Sequence, residues 1–296
     1  MKSGATTTNG YAVDSRSNRP RCCKLFLVRY SLVAFVLLFV GSVTASAQSL
    51  PFKPRHFNLG IGATLPKFLD QSFSALRYQG YAASVTAGLV WANPDTTARH
   101  LAHARFDYGQ MSAFSFAFAD LDAFRFEAHY SYETRMKPLW KDRLRWYVGG
   151  NLSGLWTLWQ FQNYSNNAFN NSFYFSLSPQ TTLEYPFRLW KRNFQVSYSA
   201  FLPLLTFAIR PSYGTTRLPE FIDSERDEPV QQFLGSGRVT SLNRFFRYSN
   251  TLALEYALRN TNRLRLSYTW NFVRYTEPRL VQAASHNITL AVMFNF

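Results

Sequence analysis

Asn287-Ile288-Thr289-Leu290-Ala291-Val292-Met293-Phe294-Asn295-Phe296 closes the chain on one apolar face. Ile288, Leu290, Val292, Phe294 and Phe296 occupy alternate positions, with Asn287, Thr289, Ala291, Met293 and Asn295 between them. Successive strand side chains point to opposite sides, so a period of two predicts a β-strand with one greasy side. An apolar face running flush to the carboxyl terminus fits a strand whose greasy side meets lipid.

Working back from this segment, the same alternation recurs and no stretch after Gln48 offers eighteen consecutive apolar residues. The pattern predicts ten strands, at 57–64, 78–92, 99–110, 121–135, 143–161, 172–187, 193–209, 246–259, 263–275 and 284–296. Short polar connections near Asn93-Pro94-Asp95, Lys137 to Asp142, Lys191-Arg192 and Asn260-Thr261-Asn262 alternate with longer ones at 66–77, 111–120, 162–171, 211–245 and 276–283. Short and long connections alternate in this way when an even number of strands closes into a barrel with both termini on one side. The fold class expected is therefore all-β, an antiparallel transmembrane barrel of about ten strands, although the spacing also admits eight or twelve.

The amino-terminal segment reads as an export signal. Arg16, Arg19, Arg21, Lys24 and Arg29 precede an apolar run from Leu32 to Val43, and Ala45-Ser46-Ala47 gives a small-x-small cleavage site before Gln48. The apolar run is about a dozen residues, short of the ~20 that a membrane-spanning helix needs. The expected organisation is a signal peptide at 1–47 and one barrel domain at 48–296. Cys22 and Cys23 are the only cysteines and leave with the signal, so a mature chain cut there has neither disulfide nor thiolate ligand.

The formal charge of +15 falls to +10 once Lys2, Asp14 and the five basic residues of the signal are removed. A basic excess raises the question of nucleic acid, but no recognition motif accompanies it and the export signal points away from the cytoplasm. Anionic lipopolysaccharide suits a basic outer surface better. Aromatic residues make up 18% of the chain, the enrichment expected of the girdles at two membrane interfaces.

With its terminal strand and export signal, the chain resembles bacterial outer-membrane β-barrels of the small porin-like type. The resemblance covers the whole mature chain and is one of architecture. It implies that the barrel-assembly machinery reads the terminal aromatics Phe294 and Phe296 as an assembly signal. It also implies that both termini lie in the periplasm and that outer-membrane lipid and lipopolysaccharide surround the barrel.

Placing the apolar member of each alternation against lipid makes the other member luminal. On the fifth strand, Leu144, Trp146, Val148, Leu152, Trp156 and Leu158 then face out and Arg143, Arg145, Tyr147, Asn151 and Ser153 face in. The same parity sends His103, Arg105, Asp107, Arg125, Glu127, His129, Glu133, Glu184, Glu255, Arg263 and Arg265 inward. The turn at 260–262 sets Glu255 opposite Arg265 or its neighbour on the same face, and the turn near 136–142 brings Glu133 towards Arg143 and Arg145. A ten-stranded lumen is narrow, so mixed charges predict a packed interior rather than a wide channel.

Glu127 and His129, with Asp107 or His103 on the neighbouring strand, form the candidate catalytic group, since a carboxylate can orient an imidazole as general base. Outer-membrane hydrolases resembling omptins or lipid deacylases use such pairs, but near the external rim, whereas His129 falls well down its strand. Ser285-His286-Asn287 superficially resembles the residues of outer-membrane phospholipase; parity, however, turns His286 away from Ser285 and Asn287, and the family's residue order is absent. Asp223, Glu225, Asp227 and Glu228 lie in the long segment 211–245 without the glycine spacing of a calcium loop. No phosphate loop, nucleophile elbow or zinc motif occurs, and the sequence implies no cofactor or metal. The expected function is that of a non-enzymatic barrel, in envelope structure, restricted passage of a small solute, or a larger assembly. The alternatives are a hydrolase using Glu127 and His129, and a gated transporter plugged by the 211–245 loop.

Overall fold

The computed structural model describes residues 55–295 apart from 73, 94, 96, 114–115, 138–142, 162–168, 211–234, 259 and 261, and at 116–119 the backbone only. The expected signal peptide at 1–47, the acidic stretch at 220–228 and Phe296 lie outside the described residues. Among the described residues twelve strands follow in order: β1 Arg55–Asp70, β2 Ser74–Ala92, β3 Ala98–Ala113, β4 Phe116–Arg135, β5 Arg145–Phe161, β6 Phe169–Leu189, β7 Arg192–Phe201, β8 Leu205–Ile209, β9 Arg238–Ser241, β10 Phe245–Ala257, β11 Arg263–Tyr275 and β12 Val281–Asn295.

All the pairings are antiparallel, and the sheet closes on itself. β1 to β7 neighbour one another in sequence order, β10, β11 and β12 continue the wall, and β12 returns to β1 with Leu59 opposite Val292. The wall is thus a ring of ten staves, with β8 and β9 as additions. β7 and β8 are two halves of one expected strand, interrupted at 202–204 around Pro203, which has no N–H to give the ladder. Leu202 and Leu204 still donate to the carbonyls of Pro179 and Leu177 on β6, so β6 runs alongside both halves. Between β6 and β7, Trp190 and Lys191 both take positive φ (48° and 62°), the twist that a two-residue hairpin requires. In the β2–β3 connection, Thr97 Oγ1 and N–H donate to Asp95 at 2.8 and 3.2 Å, holding that carboxyl below its ordinary pKa.

The wall is inside out relative to a soluble sheet through most of its height. Ile61 is 70% exposed, and Val85, Leu152, Leu266 and Ile288 also face outward, while Glu133 and Arg247 inside are wholly buried. Outward aromatics gather in two belts. One holds the neighbours Tyr108 and Phe124, Trp156 and Phe173, and Trp270 and Phe272, together with Tyr81. The other holds Trp91 stacked on His100, and Phe187, Phe194 and Tyr256. On β2 the two belts are marked by Tyr81 and Trp91, and a tilted strand needs about 9–11 residues to cross the hydrocarbon.

Beyond the first belt the polarity inverts, which the outward-apolar rule does not anticipate. Phe68, Tyr78, Met111, Leu121, Trp159 and Tyr275 point inward and form a buried cluster, with Phe68 stacked on Trp159 at 4.2 Å. Outside at this height stand Lys67, Arg77, Gln79, Gln110, Ser112 and Arg274. Past the membrane face water surrounds the wall, so the apolar side turns in, as in any soluble β-barrel. This corrects two expected loops. Among the described residues, the segments 66–77 and 111–120 are mostly strand, with a turn at 71–72.

Candidate functional site

Among the described residues, chemistry-bearing side chains converge in the lumen, and its middle layer follows from register. Arg105 lies opposite Glu127 and Asp107 opposite Arg125 on β3 and β4, so opposite charges face each other across one ladder. Glu127 Oε2 accepts from Arg105 at 3.0 Å and Arg125 at 2.8 Å. Its other oxygen accepts from Arg247 of β10, a fully buried guanidinium. β10 stands four places from β4 around a ring of ten, so this pair spans nearly the full lumen. Asp107 meets Arg105 Nε at 3.3 Å and accepts from Ser84 and Thr64, which Asn287 of β12 ties together with two bonds of 2.7 Å. Arg125 also reaches Ser285 on β12 at 3.2 Å.

Towards the chain termini a second layer centres on Glu133. Arg99 donates to its Oε2 from Nε and Nη2, both at 2.7 Å, while Gln180 and Thr182 donate to Oε1 at 2.8 and 2.7 Å. Arg99 also pairs with Glu184 and lies over the Tyr147 ring at 3.8 Å. The expected partners Arg143 and Arg145 are therefore replaced by Arg99, because Arg99 sits directly opposite Glu133 in the β3–β4 ladder. Arg143 is exposed in the turn before β5, and Arg145 lies opposite Glu184. At the terminal end Glu255 pairs with Arg263 at 2.8 Å and, more loosely, with Arg265 at 3.6 Å. Arg263 also bonds His56 Nδ1 at 3.2 Å.

The opposite end is braced as well. Asp70 at the end of β1 pairs with Arg210 and accepts from Asn170 of β6 at 3.1 Å, five places away around the ring. The apolar cluster packs between this brace and the middle layer, leaving a residual cavity of about 60 Å³.

Glu127 and His129 share a face, but both Glu127 oxygens serve arginines. His129 stacks on His103 at 4.9 Å and makes no hydrogen bond to Glu127 or Asp107 among the described residues. Ser285 and Asn287 point into the lumen, while His286 bonds the outward Tyr268 hydroxyl at 2.7 Å. Phe294 faces outward. Sequence reading passed over Arg247, Arg99, Arg210, Asp70 and His56. The parity that places Glu255 and Arg105 inward also places Arg247 and Arg99 there; Asp70 lies in a segment expected to be a loop, and Arg210 falls between the expected strand 193–209 and the expected loop 211–245.

A closed wall with an apolar belt, two aromatic girdles and a polar interior defines a transmembrane β-barrel. The chain belongs to the family described as "Protein of unknown function (DUF3316)", whose model matches residues 31–296. No curated protein sequence matches it. Solved structures similar to it include the transport unit of the autotransporter AIDA-I from Escherichia coli, at 7% identity and TM-score 0.43, covering 89% of this chain and 97% of that one. An outer membrane channel from Pseudomonas putida F1 gives 5% and 0.37, covering 84% and 100%. Neisserial surface protein A gives 12% and 0.32, covering 81% and 97%.

Proposed function

We propose that this protein is a non-enzymatic barrel of the bacterial outer membrane whose lumen is closed by its own side chains. It serves the envelope as a structural element or as the membrane member of a larger assembly, and not as an open pore. The observation that carries this reading is the Glu127–Arg247 bridge across the lumen, backed on one side by the apolar cluster and on the other by the Arg99–Glu133–Glu184 group. Paired charges at the Glu127–Arg247 bridge and the apolar cluster packed behind it support a lumen without a continuous water column. The apolar belt and its girdles support residence in a bilayer, and the signal expected at 1–47 supports export to the outer membrane. The chain ends of β1 and β12 lie together, with His56 opposite Asn295, which agrees with both termini being periplasmic.

Proteoliposomes carrying the folded protein should show no swelling in arabinose or larger sugars beyond that of empty liposomes. Swelling at porin-like rates would reject the closed lumen. Swelling that appears only after removal of residues 211–234 would make that segment the plug and a gated transporter the better reading.

A further inference from the structure

Between the middle layer and the Arg99–Glu133 layer the lumen opens into a polar cavity of about 170 Å³. One water needs only ~10–15 Å³ on such a measure, so a polyatomic solute fits. Ten serine and threonine hydroxyls line the wall, among them Thr86, Ser131, Ser199, Ser249, Thr269 and Thr289. His103 and His129 stand side by side in it, with centroids 4.9 Å apart and planes 17° apart. Neither ring has a hydrogen-bond partner among the described residues, and both Nδ1 atoms are buried. Buried ring nitrogens without partners are uncommon, because the lost hydration is normally replaced.

The charges around the cavity decide what could replace it. Arg99, Arg105 and Arg265 line the wall, and among the described residues Glu127 is its only carboxylate. Both Glu127 oxygens are already engaged by three arginines. Arg265 is the loosest cation, 29% exposed and 3.6 Å from Glu255, which is satisfied at 2.8 Å by Arg263. The wall therefore offers uncommitted donors and positive potential but no free acid. A metal cation would meet arginines, whereas an anion would meet donors that gain from a charged acceptor.

We propose that this cavity is a binding site for a small oxyanion, received by His103, His129 and Arg265 with the hydroxyl wall around them. The proposal goes beyond the closed-lumen reading, since binding needs access to the cavity from one end only and holds whether or not the layer beyond it seals the barrel.

The test is calorimetric titration of the full barrel in detergent with inorganic phosphate and, separately, acetate, at constant ionic strength. Saturable one-to-one binding of at least one of them is expected, and the preferred anion tells phosphate from carboxylate chemistry. Arg265→Gln should weaken binding by roughly tenfold, as loss of one charge-assisted contact does, and the double change His103→Asn with His129→Asn by more. Arg274→Gln, an exposed cation on the outside of β11, should bind as wild type does. In the unmutated protein, the imidazole NMR signals of His103 and His129 should move on titration while those of His100 and His286 stay; this readout needs no variant to fold. No saturable binding of either anion, or equal losses in Arg265→Gln and Arg274→Gln, would overturn the proposal.

Discussion

Glu127→Ala is expected to destabilise the barrel by about 3–5 kcal/mol, the range found when one partner of a buried ion pair is removed and the other charge is left behind. Here the consequence is compounded, because Arg105, Arg125 and Arg247 all address this carboxylate, and Asp107, which pairs with Arg105, does not replace it for Arg247. Arg247→Met should cost less, since Glu127 keeps two arginines and the apolar side chain fills the space beside Phe201. Combining the two changes should cost less than the sum of the single changes, the signature of groups in one network. Urea unfolding in lipid vesicles measures all three variants. A Glu127→Ala barrel within about 1 kcal/mol of wild type would mean that the layer is water-filled and the charges screened.

Leu266→Arg is the second large effect, expected at roughly 2–4 kcal/mol for a cation forced onto the lipid face near the bilayer midplane. Leu266 lies opposite Leu254 on one side and Leu290 on the other, a continuous apolar row between the two aromatic belts. Ser267 is one residue away but points into the polar cavity, so Ser267→Asn should cost little. The contrast between adjacent residues tests the inside-out assignment more sharply than either change alone. If Ser267→Asn proves the more damaging, the faces have been exchanged.

The membrane-crossing part of this fold is legible because one rule governs it. Between the belts, lipid outside and water or paired charge inside force apolar residues out and polar residues in, so a period of two reports both the strand and its face. Asn287 to Asn295 keeps Ile288, Leu290, Val292 and Phe294 outward, with Ala291 and Met293 as inward departures, and Leu254, Leu264 and Leu266 stand outward beside inward Glu255, Arg263 and Arg265. Above the belt the same rule reads backwards. Phe68, Tyr78 and Met111 alternate as regularly as Ile288 and Leu290, but with Lys67, Gln79 and Ser112 outside, so strand continuing into water was taken for loop. Nothing local to Phe68 says which side of the membrane boundary it lies on. That information resides in the distance from Tyr81 and Tyr108, which mark the interface only once the barrel is closed.

The site was legible in part for a related reason. Parity says which residues face the lumen, and adjacent ladders say which can pair, so Glu255 with Arg265 could be read from a three-residue turn. Contacts across the lumen cannot be read in that way. Arg247 and Glu127 are 120 residues apart and meet only because the ring brings β10 opposite β4. Arg99 replaces Arg143 and Arg145 at Glu133 because a ladder partner outcompetes Arg143, held in the turn, and Arg145, set opposite Glu184.

Single-channel recording in planar bilayers tests the closed lumen most directly. The protein should first be shown to be folded by its heat-dependent shift on a gel. Wild-type protein should then give no stable conductance step at either polarity, because the bridge from Glu127 to Arg247 and the apolar cluster behind it leave ions no path. Steady openings on the nanosiemens scale from the unmodified barrel would contradict the account and place the protein among open channels.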